Sequence, residues 1–133
     1  MNAAVRTDAF LDGLGTLLIV EDEVLIRLDL ADQLRLAGFK VIEASTGDEA
    51  LTVLKSVDEI SVVISDIRMP GQTDGTTLAA WLRREMPRIK IVLMSGHLPT
   101  AHMSAIADLA FEKPVDPAFL ARRVKELLED EQG

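Results

Sequence analysis

Two kinds of apolar pattern alternate along most of the chain. Short continuous apolar runs, typical of buried strands, occupy 17–20, 40–44, 61–66, 89–94 and 110–112. Between and after them, apolar residues recur at the spacing of an amphipathic helix, over 24–37, from 45 to about 57, over 76–85, weakly over 100–107, and from 117 onward. Five strand and helix units in strict alternation predict a parallel sheet with helices on both faces, which is a doubly wound α/β domain.

Each predicted helix carries an apolar stripe that we expect to face the sheet. Gly38 is placed to end the first helix, and Asp116 is placed to cap the last helix ahead of Pro117. The stripes of the first, second, third and last helices are Leu25, Leu28, Ala31 and Leu34; Ala50, Val53, Leu54 and Val57; Leu78, Trp81 and Leu82; and Leu120, Val124, Leu127 and Leu128.

Length and composition indicate one globular domain. The chain has 133 residues, of which 48% are hydrophobic and 27% are charged. Residues 1–15 show no clear period and include two glycines, so we expect a flexible N-terminal arm before a domain that spans 16–133. No internal repeat or linker divides that domain.

Charge and cysteine content exclude several classes of function. The formal net charge of -8 argues against a nucleic-acid partner, because binding DNA requires clustered Lys and Arg. The chain has no cysteine, no apolar run long enough to cross a bilayer and no signal-peptide pattern. We therefore expect a cytoplasmic protein with neither a membrane nor a nucleic acid as partner.

Polar residues stand where the predicted strands end. Glu21 and Asp22 follow the first strand, Asp66 ends the third before a Pro-Gly turn, Ser95 ends the fourth, and Lys113 follows the fifth. The carboxyl ends of parallel strands meet at one edge of an open sheet, where ligands bind. Carboxylates gathered there would repel one another unless a cation shared the site, and oxygen ligands suit Mg²⁺. Acids, a cation, a hydroxyl and a lysine together describe a site of phosphoryl transfer.

The sequence resembles the receiver domain of two-component response regulators over 17–129, and specifically the stand-alone, single-domain type. The resemblance rests on the order of several short motifs, each weak alone: Glu21-Asp22, Asp66 with Met69-Pro70 and Asp74-Gly75, Ser95-Gly96, and Lys113-Pro114. It implies a flavodoxin-like (βα)5 fold with strand order 2-1-3-4-5. It also implies a phosphoacceptor signalling domain, not an enzyme beyond its own self-catalysed phosphotransfer and autodephosphorylation.

The resemblance assigns a role to each site residue. Asp66 is the expected phosphoacceptor, with Ser95 and Lys113 as its catalytic partners. The expected Mg²⁺ ligands are Glu21, Asp22, Asp66 and the carbonyl of Arg68, with Asp22 favoured over Glu21 as a direct ligand. Arg68 and His97 are expected to flank the path of the water that hydrolyses the acyl phosphate, and Pro114 to follow a cis peptide bond.

The implied reaction is attack by the Asp66 carboxylate on a phosphohistidine. The implied partners are a sensor histidine kinase or phosphotransfer protein and a downstream protein target, and we expect a monomer or weak dimer. A diffusible signalling protein, a phosphate sink and the detached receiver of a larger regulator all remain open.

The sequence departs from the family pattern at four places. Glu21 stands where an aspartate is common, and Ser95 where a threonine is commoner. Ala110 replaces the usual aromatic residue three positions before the lysine, while Phe111 should point to the opposite face of its strand. The loop containing residues 72–73 is one residue longer than in the chemotaxis type. These departures leave phosphorylation in place but remove the usual switch side chain.

Two other classes of protein remain alternatives. A small Mg²⁺-dependent phosphatase also begins with a strand-end aspartate, but Asp66 is followed by Ile67 and Arg68 instead of a second acid. A flavin-binding electron carrier of the same fold would need a hydroxyl-rich loop after the first strand and aromatic residues for the ring. The acidic 21–23 segment, a single Trp and no Tyr argue against it.

Overall fold

A computed structural model of the chain describes residues 14–97 and 100–132, in which five strands and five helices alternate. The predicted arm lies outside the described residues except for Leu14 and Gly15, and Leu14 packs against the core. In chain order the elements are β1 (Thr16–Val20), α1 (Val24–Leu36), β2 (Lys40–Ala44), α2 (Gly47–Ser56), β3 (Ile60–Asp66), α3 (Gly75–Glu85), β4 (Lys90–Ser95), α4 (Ala101–Ile106), β5 (Leu109–Glu112) and α5 (Pro117–Gln132).

The five strands form one parallel sheet in the order β2-β1-β3-β4-β5. This arrangement confirms the predicted doubly wound fold and its strand order. Val20 is level with Ser65, Asp66 with Met94, and Ser95 with Glu112, so β1, β3, β4 and β5 end along one edge. The polar residues that end these strands are therefore brought together by strand register.

Successive residues of the central strands pack into two separate cores, one on each face of the sheet. On β1, Leu18 and Val20 pack under α2, α3 and α4, whereas Leu17 and Ile19 pack under α1 and α5. All four side chains are fully buried. Among the described residues, none of the helices is long and apolar enough to span a bilayer.

The predicted inner stripe of α1 is wrong in its first half. Leu25 is 81% exposed and Leu28 is 42% exposed, whereas Leu30, Ala31 and Leu34 are buried. The first turns of α1 are apolar on several sides, so spacing alone fits two overlapping stripes. Contact with the sheet buries the stripe that contains Leu30 and Leu34. The apolar side chains at the start of α1 therefore stay exposed.

Helix ends lie where turn and cap residues predicted them. Gly38 has φ +108° and follows α1, which confirms the predicted left-handed cap. The Asp116 carboxylate accepts a hydrogen bond from the Phe119 N–H at the start of α5. The third helix begins at Gly75, one residue before the predicted start, because Asp74 caps it through the Thr77 N–H.

Neighbouring residues of β5 face opposite sides of the sheet, as strand alternation predicted. Ala110 packs with the core under α3 and α4, and Phe111 packs with the core under α1 and α5. The ring of Phe111 makes an edge-to-face contact with Phe119, with ring centroids 5.7 Å apart. At position 110, on the α3 and α4 side of β5, the side chain is thus a single methyl group.

Candidate functional site

Three carboxylates converge at the carboxyl edge of the sheet. Glu21 follows β1 and is fully buried, Asp66 ends β3 and is 8% exposed, and Asp22 is exposed. One oxygen from each lies within 4.8 Å of the others. The structure therefore brings together the three acids that the sequence placed in one site.

Lys113 lies inside this acidic cluster. Its Nζ donates to Asp66 Oδ2 at 3.0 Å, the expected pairing, and also to Glu21 Oε1 at 2.8 Å, which the sequence did not predict. The Lys113 N–H donates to the Ser95 carbonyl, which continues the β4–β5 pairing up to the site. The peptide bond to Pro114 is cis, as expected.

Burial and charge shift two pKa values in the site. Burial raises the pKa of Glu21, against the opposing effects of hydrogen bonds from Lys113 and the Glu23 N–H. For Lys113, burial works to lower the pKa, but hydrogen bonds to Glu21 and Asp66 outweigh it and raise the pKa overall. The ammonium is therefore charged throughout the neutral range.

A cleft of about 400 Å³ opens onto the acidic cluster from solvent. Ser95 is buried at its wall, and its Oγ accepts a hydrogen bond of 3.2 Å from the His97 N–H. The residues that line the cleft are Asp22, Glu23, Asp66, Ile67, Arg68, Ser95, Gly96, His97 and Lys113. Every predicted site residue except the buried Glu21 is thus at the cleft surface. A larger cleft of about 600 Å³ lies elsewhere, between 57–61 and 85–90, and includes none of the site residues.

The loop after β3 is fixed against its neighbours by close backbone contacts. A Cβ at Gly75 would collide with the Asp66 carbonyl oxygen, and one at Gly47 would collide with the Thr73 carbonyl oxygen. The Thr73 Oγ1 donates to Asp48 Oδ1 at 2.7 Å, which ties this longer loop to the start of α2. Sequence reasoning missed this tie, because residues 48 and 73 are distant in the chain.

Arg27 holds the backbone at the end of β1, a contact that sequence reasoning also missed. Its Nη1 donates to the Glu21 carbonyl at 3.0 Å, and its Nε donates to Glu43 Oε1 at 3.2 Å. On the other side, the Glu21 N–H donates to the Ala44 carbonyl at 3.1 Å. The sequence carries no signal for this contact, because every residue offers a carbonyl acceptor.

The donor set fits a hard divalent cation. Carboxylate oxygens from Glu21, Asp22 and Asp66 are close enough to share one ion. Mg²⁺ prefers such oxygen ligands, uses few of them from protein, and accepts water and phosphate oxygens at its other positions. The cleft beside the cluster leaves room for these further ligands.

Comparison with known proteins identifies the family of this chain. The family model of the response regulator receiver domain matches residues 17–125. The chain belongs to this family. Receiver domains are signalling phosphoacceptor domains that bind Mg²⁺ at an acidic pocket and interact with histidine kinases or phosphotransfer proteins. The match favours this family over the phosphatase and the flavin carrier.

The curated relatives of this receiver domain include proteins that are much longer than this chain. The chain is 39% identical over 124 residues to the sensor kinase CckA of Brucella abortus, covering 90% of this chain and 13% of that protein. It spans about half or less of the length of other curated relatives such as the dicarboxylate transport regulator DctD of Rhizobium meliloti, with 37% identity over 80% of this chain and 23% of the regulator.

Solved structures agree with the fold. The response regulator TrrA of Thermotoga maritima, in complex with Mg²⁺ and beryllium fluoride, is 31% identical, with a TM-score of 0.77 and coverage of 85% of this chain and 98% of that chain. A receiver protein of Sinorhizobium medicae is 35% identical, with a TM-score of 0.77 and coverage of 86% and 94%.

Proposed function

We propose that Asp66 accepts a phosphoryl group from the phosphohistidine of a sensor histidine kinase or phosphotransfer protein. The observation that carries this proposal is the placement of the Lys113 ammonium 3.0 Å from an Asp66 carboxylate oxygen, at the base of an open cleft. A nucleophilic carboxylate held beside a fixed cation is what attack on a phosphoryl group requires. Family membership and the acidic cluster support the same role.

In the proposed reaction, an Asp66 carboxylate oxygen forms a bond to phosphorus as the phosphorus–nitrogen bond to histidine breaks. Lys113 stabilises negative charge on the transferred group, because its ammonium already lies beside the Asp66 carboxylate that receives this group. The Ser95 hydroxyl, at the cleft wall, donates to a phosphoryl oxygen. The product is an acyl phosphate on Asp66.

Glu21, Asp22, Asp66 and the Arg68 carbonyl would hold Mg²⁺ in this proposal. When bound, the ion neutralises charge on the carboxylates and on the phosphoryl oxygens. Asp22 is the more accessible of the two acids after β1, whereas Glu21 is already engaged by Lys113 and the Glu23 N–H.

Hydrolysis of the acyl phosphate requires water in line with the phosphorus–oxygen bond. Arg68 and His97 both line the cleft that opens onto Asp66, where their bulk would limit the approach of that water. We propose that these two residues set the lifetime of the phosphorylated state. Smaller side chains at either position should shorten it.

An exposed apolar surface beside the site supports a protein as phosphodonor. Val24 and Leu25, on the first turn of α1, are 54% and 81% exposed and directly follow the acidic 21–23 segment. Leu25 also lines a groove of about 440 Å³ together with Lys113, Pro114 and Val115. Apolar side chains at the rim of a charged site suit a docked protein surface better than a small ion.

The signal then passes through protein contacts, and the cysteine-free sequence suits a cytoplasmic location. This function holds whether the receiver acts alone or within a larger regulator. A phosphate sink would share the chemistry but lack a downstream target.

The proposal is tested by incubating the protein with Mg²⁺ and acetyl phosphate and measuring intact mass. The wild type should gain one phosphoryl group, and Asp66→Ala should gain none while staying folded, because removing one carboxylate relieves repulsion in the cluster. Asp58→Ala, which removes an exposed acid far from the site, serves as the matched control and should behave as wild type. Full phosphorylation of Asp66→Ala would contradict the assignment.

A further inference from the structure

We infer that Arg27 is a positioning residue for the metal site, acting through the backbone of Glu21. This inference rests on the proposed function, because it concerns how the acids after β1 are held ready for Mg²⁺. Arg27 does not line the cleft, and it contacts none of the three clustered carboxylates through a described hydrogen bond.

The argument begins with the peptide group that links Glu21 to Asp22. Its carbonyl oxygen, on Glu21, accepts from Arg27 Nη1 at 3.0 Å. Because a peptide group is planar, fixing that carbonyl also fixes the direction in which the chain continues to Asp22. The Glu21 N–H is held by the Ala44 carbonyl, so the backbone of Glu21 is bound on both sides.

Asp22 depends on this backbone for its orientation. It is exposed, and within the described part of the chain its carboxylate receives no hydrogen bond. Glu21 differs, since its two carboxylate oxygens accept from the Glu23 N–H and from Lys113. A change at the Glu21 carbonyl should therefore disturb Asp22 far more than it disturbs Glu21.

The guanidinium of Arg27 is itself fixed. Its Nε forms an ion pair with Glu43 Oε1 on β2 at 3.2 Å, and the side chain is mostly buried. One planar group thus joins the start of α1, the end of β1 and strand β2. Lysine carries the same charge but cannot reproduce this fork of two donors.

Arg35 provides a matched control on the same helix. It donates to the other oxygen of the same carboxylate, Glu43 Oε2, at 3.2 Å, and to the Val41 carbonyl at 3.0 Å. It makes no described contact with Glu21. Replacing Arg35 therefore removes one cation from Glu43 while leaving the Glu21 carbonyl held.

The direction of the change in Mg²⁺ affinity separates positioning from simple electrostatics. Removing a positive charge near an acidic site would by itself tighten Mg²⁺ binding. Loss of positioning would weaken Mg²⁺ binding, because part of the binding free energy would be used to reorient Asp22. Arg27→Met and Arg27→Lys test both effects, since only the first removes the charge.

The experiment is calorimetric titration of the folded proteins with Mg²⁺ alone, with urea unfolding as the check on folding. We expect the dissociation constant to rise about tenfold in Arg27→Met and severalfold in Arg27→Lys, and to stay within twofold in Arg35→Met. Phosphorylation by acetyl phosphate should need correspondingly more Mg²⁺ for half-maximal rate, with the rate at saturating Mg²⁺ unchanged.

The two proposals fail in different ways. A wild type that neither binds Mg²⁺ nor gains a phosphoryl group would contradict the proposed function itself. A wild type that does both, beside an Arg27→Met that binds Mg²⁺ equally or more tightly, would overturn only the role of Arg27. If Arg27→Met does not fold, an unchanged Mg²⁺ affinity in Arg27→Lys would likewise overturn the role of Arg27.

Discussion

The ammonium of Lys113 lies 2.8 Å from Oε1 of Glu21, the fully buried acid of the site. Lys113 therefore bridges Glu21 and Asp66, which end two neighbouring strands, and balances part of the charge that would otherwise drive them apart. In this arrangement the lysine and a divalent cation neutralise the charge of the same carboxylates. Removing one of them should therefore increase the stabilisation that the other provides.

Replacing Lys113 by methionine should make the receiver domain more dependent on Mg²⁺. Without Mg²⁺, we expect the variant to lose about 2 kcal/mol of unfolding free energy, because two hydrogen bonds to charged groups are lost and the carboxylates are left unbalanced. The stabilisation produced by Mg²⁺ should be larger than in wild type, since a more negative cluster binds the cation more tightly. Thermal melts with and without Mg²⁺ measure both effects.

The control for this prediction is Lys55→Met, which makes the same substitution at an exposed position on α2. Its melts should match wild type in both conditions. A Lys113→Met protein whose Mg²⁺ shift is equal to or smaller than that of wild type would show that the lysine does not balance the acidic cluster.

Leu25 should matter for phosphotransfer from a protein and not from a small molecule. We expect Leu25→Gln to slow transfer from a phosphohistidine protein about tenfold, because an apolar contact beside the site is lost. Phosphorylation by acetyl phosphate should be unchanged, since the substitution leaves the acids and Lys113 in place.

Leu36→Gln is the matched control, because Leu36 is also 81% exposed but lies on the last turn of the same helix. It should transfer at the wild-type rate from both donors. Equal slowing by the two substitutions would mean that general changes in α1, and not docking at its first turn, explain the effect.

The strand-end site could be predicted from sequence because each continuous apolar run stops at a recognisable polar residue or turn, ahead of a helix pattern of period 3.6. Glu21, Asp66 and Ser95 each stand where a buried run stops, and parallel topology alone brings such positions to one edge. Strand alternation likewise separated Ala110 from Phe111 correctly. These inferences use only local spacing and one topological rule.

The features that escaped prediction depend on contacts between distant segments. In α1, Leu25 and Leu28 fit an apolar stripe as well as Leu30 and Leu34 do, and only packing against the sheet distinguishes them. The hydrogen bond from Arg27 to a backbone carbonyl has no sequence signature, since every residue carries that acceptor. Such contacts can be inferred only once the sheet has placed the segments.

The cap of α3 should make stability depend on pH in a defined direction. Asp74 Oδ1 accepts from the Thr77 N–H and from the Thr76 hydroxyl, and the first of these bonds is the main reason that its pKa is lowered. A lowered folded-state pKa gives stability that is present above the unfolded value, about 3.9, and is lost as pH falls through the folded value.

We therefore expect Asp74→Ala to lose about 1 kcal/mol of unfolding free energy at pH 7 and progressively less below about pH 4. Asp74→Asn keeps a capping oxygen without a titrating group, so its stability relative to Asp74→Ala should not vary with pH. Urea unfolding of the three proteins between pH 3 and pH 7 gives these differences. A constant difference between wild type and Asp74→Ala would rule out the contribution of the ionised cap.

The last prediction concerns how phosphorylation is relayed when β5 carries Ala110 in place of a rotating aromatic side chain. We expect the change to fall in 97–107, a segment that includes two residues outside the described part of the chain, 98 and 99. Its helix, α4, has six residues and buries one side chain, Met103. Arg83 holds the far end of α4 through the Ile106 carbonyl at 3.0 Å.

Ser95 and His97 precede α4 in the chain. The Ser95 Oγ accepts from the His97 N–H, so a hydroxyl that turns toward a phosphoryl oxygen gives up that bond. With so little buried surface, α4 should respond to the loss of one hydrogen bond. We therefore expect beryllium fluoride with Mg²⁺ to change amide hydrogen exchange over 97–107 while α2 keeps its protection, and Ser95→Ala to abolish the change. Unchanged exchange over 97–107, with large changes confined to other segments, would show that the signal leaves the site by another route.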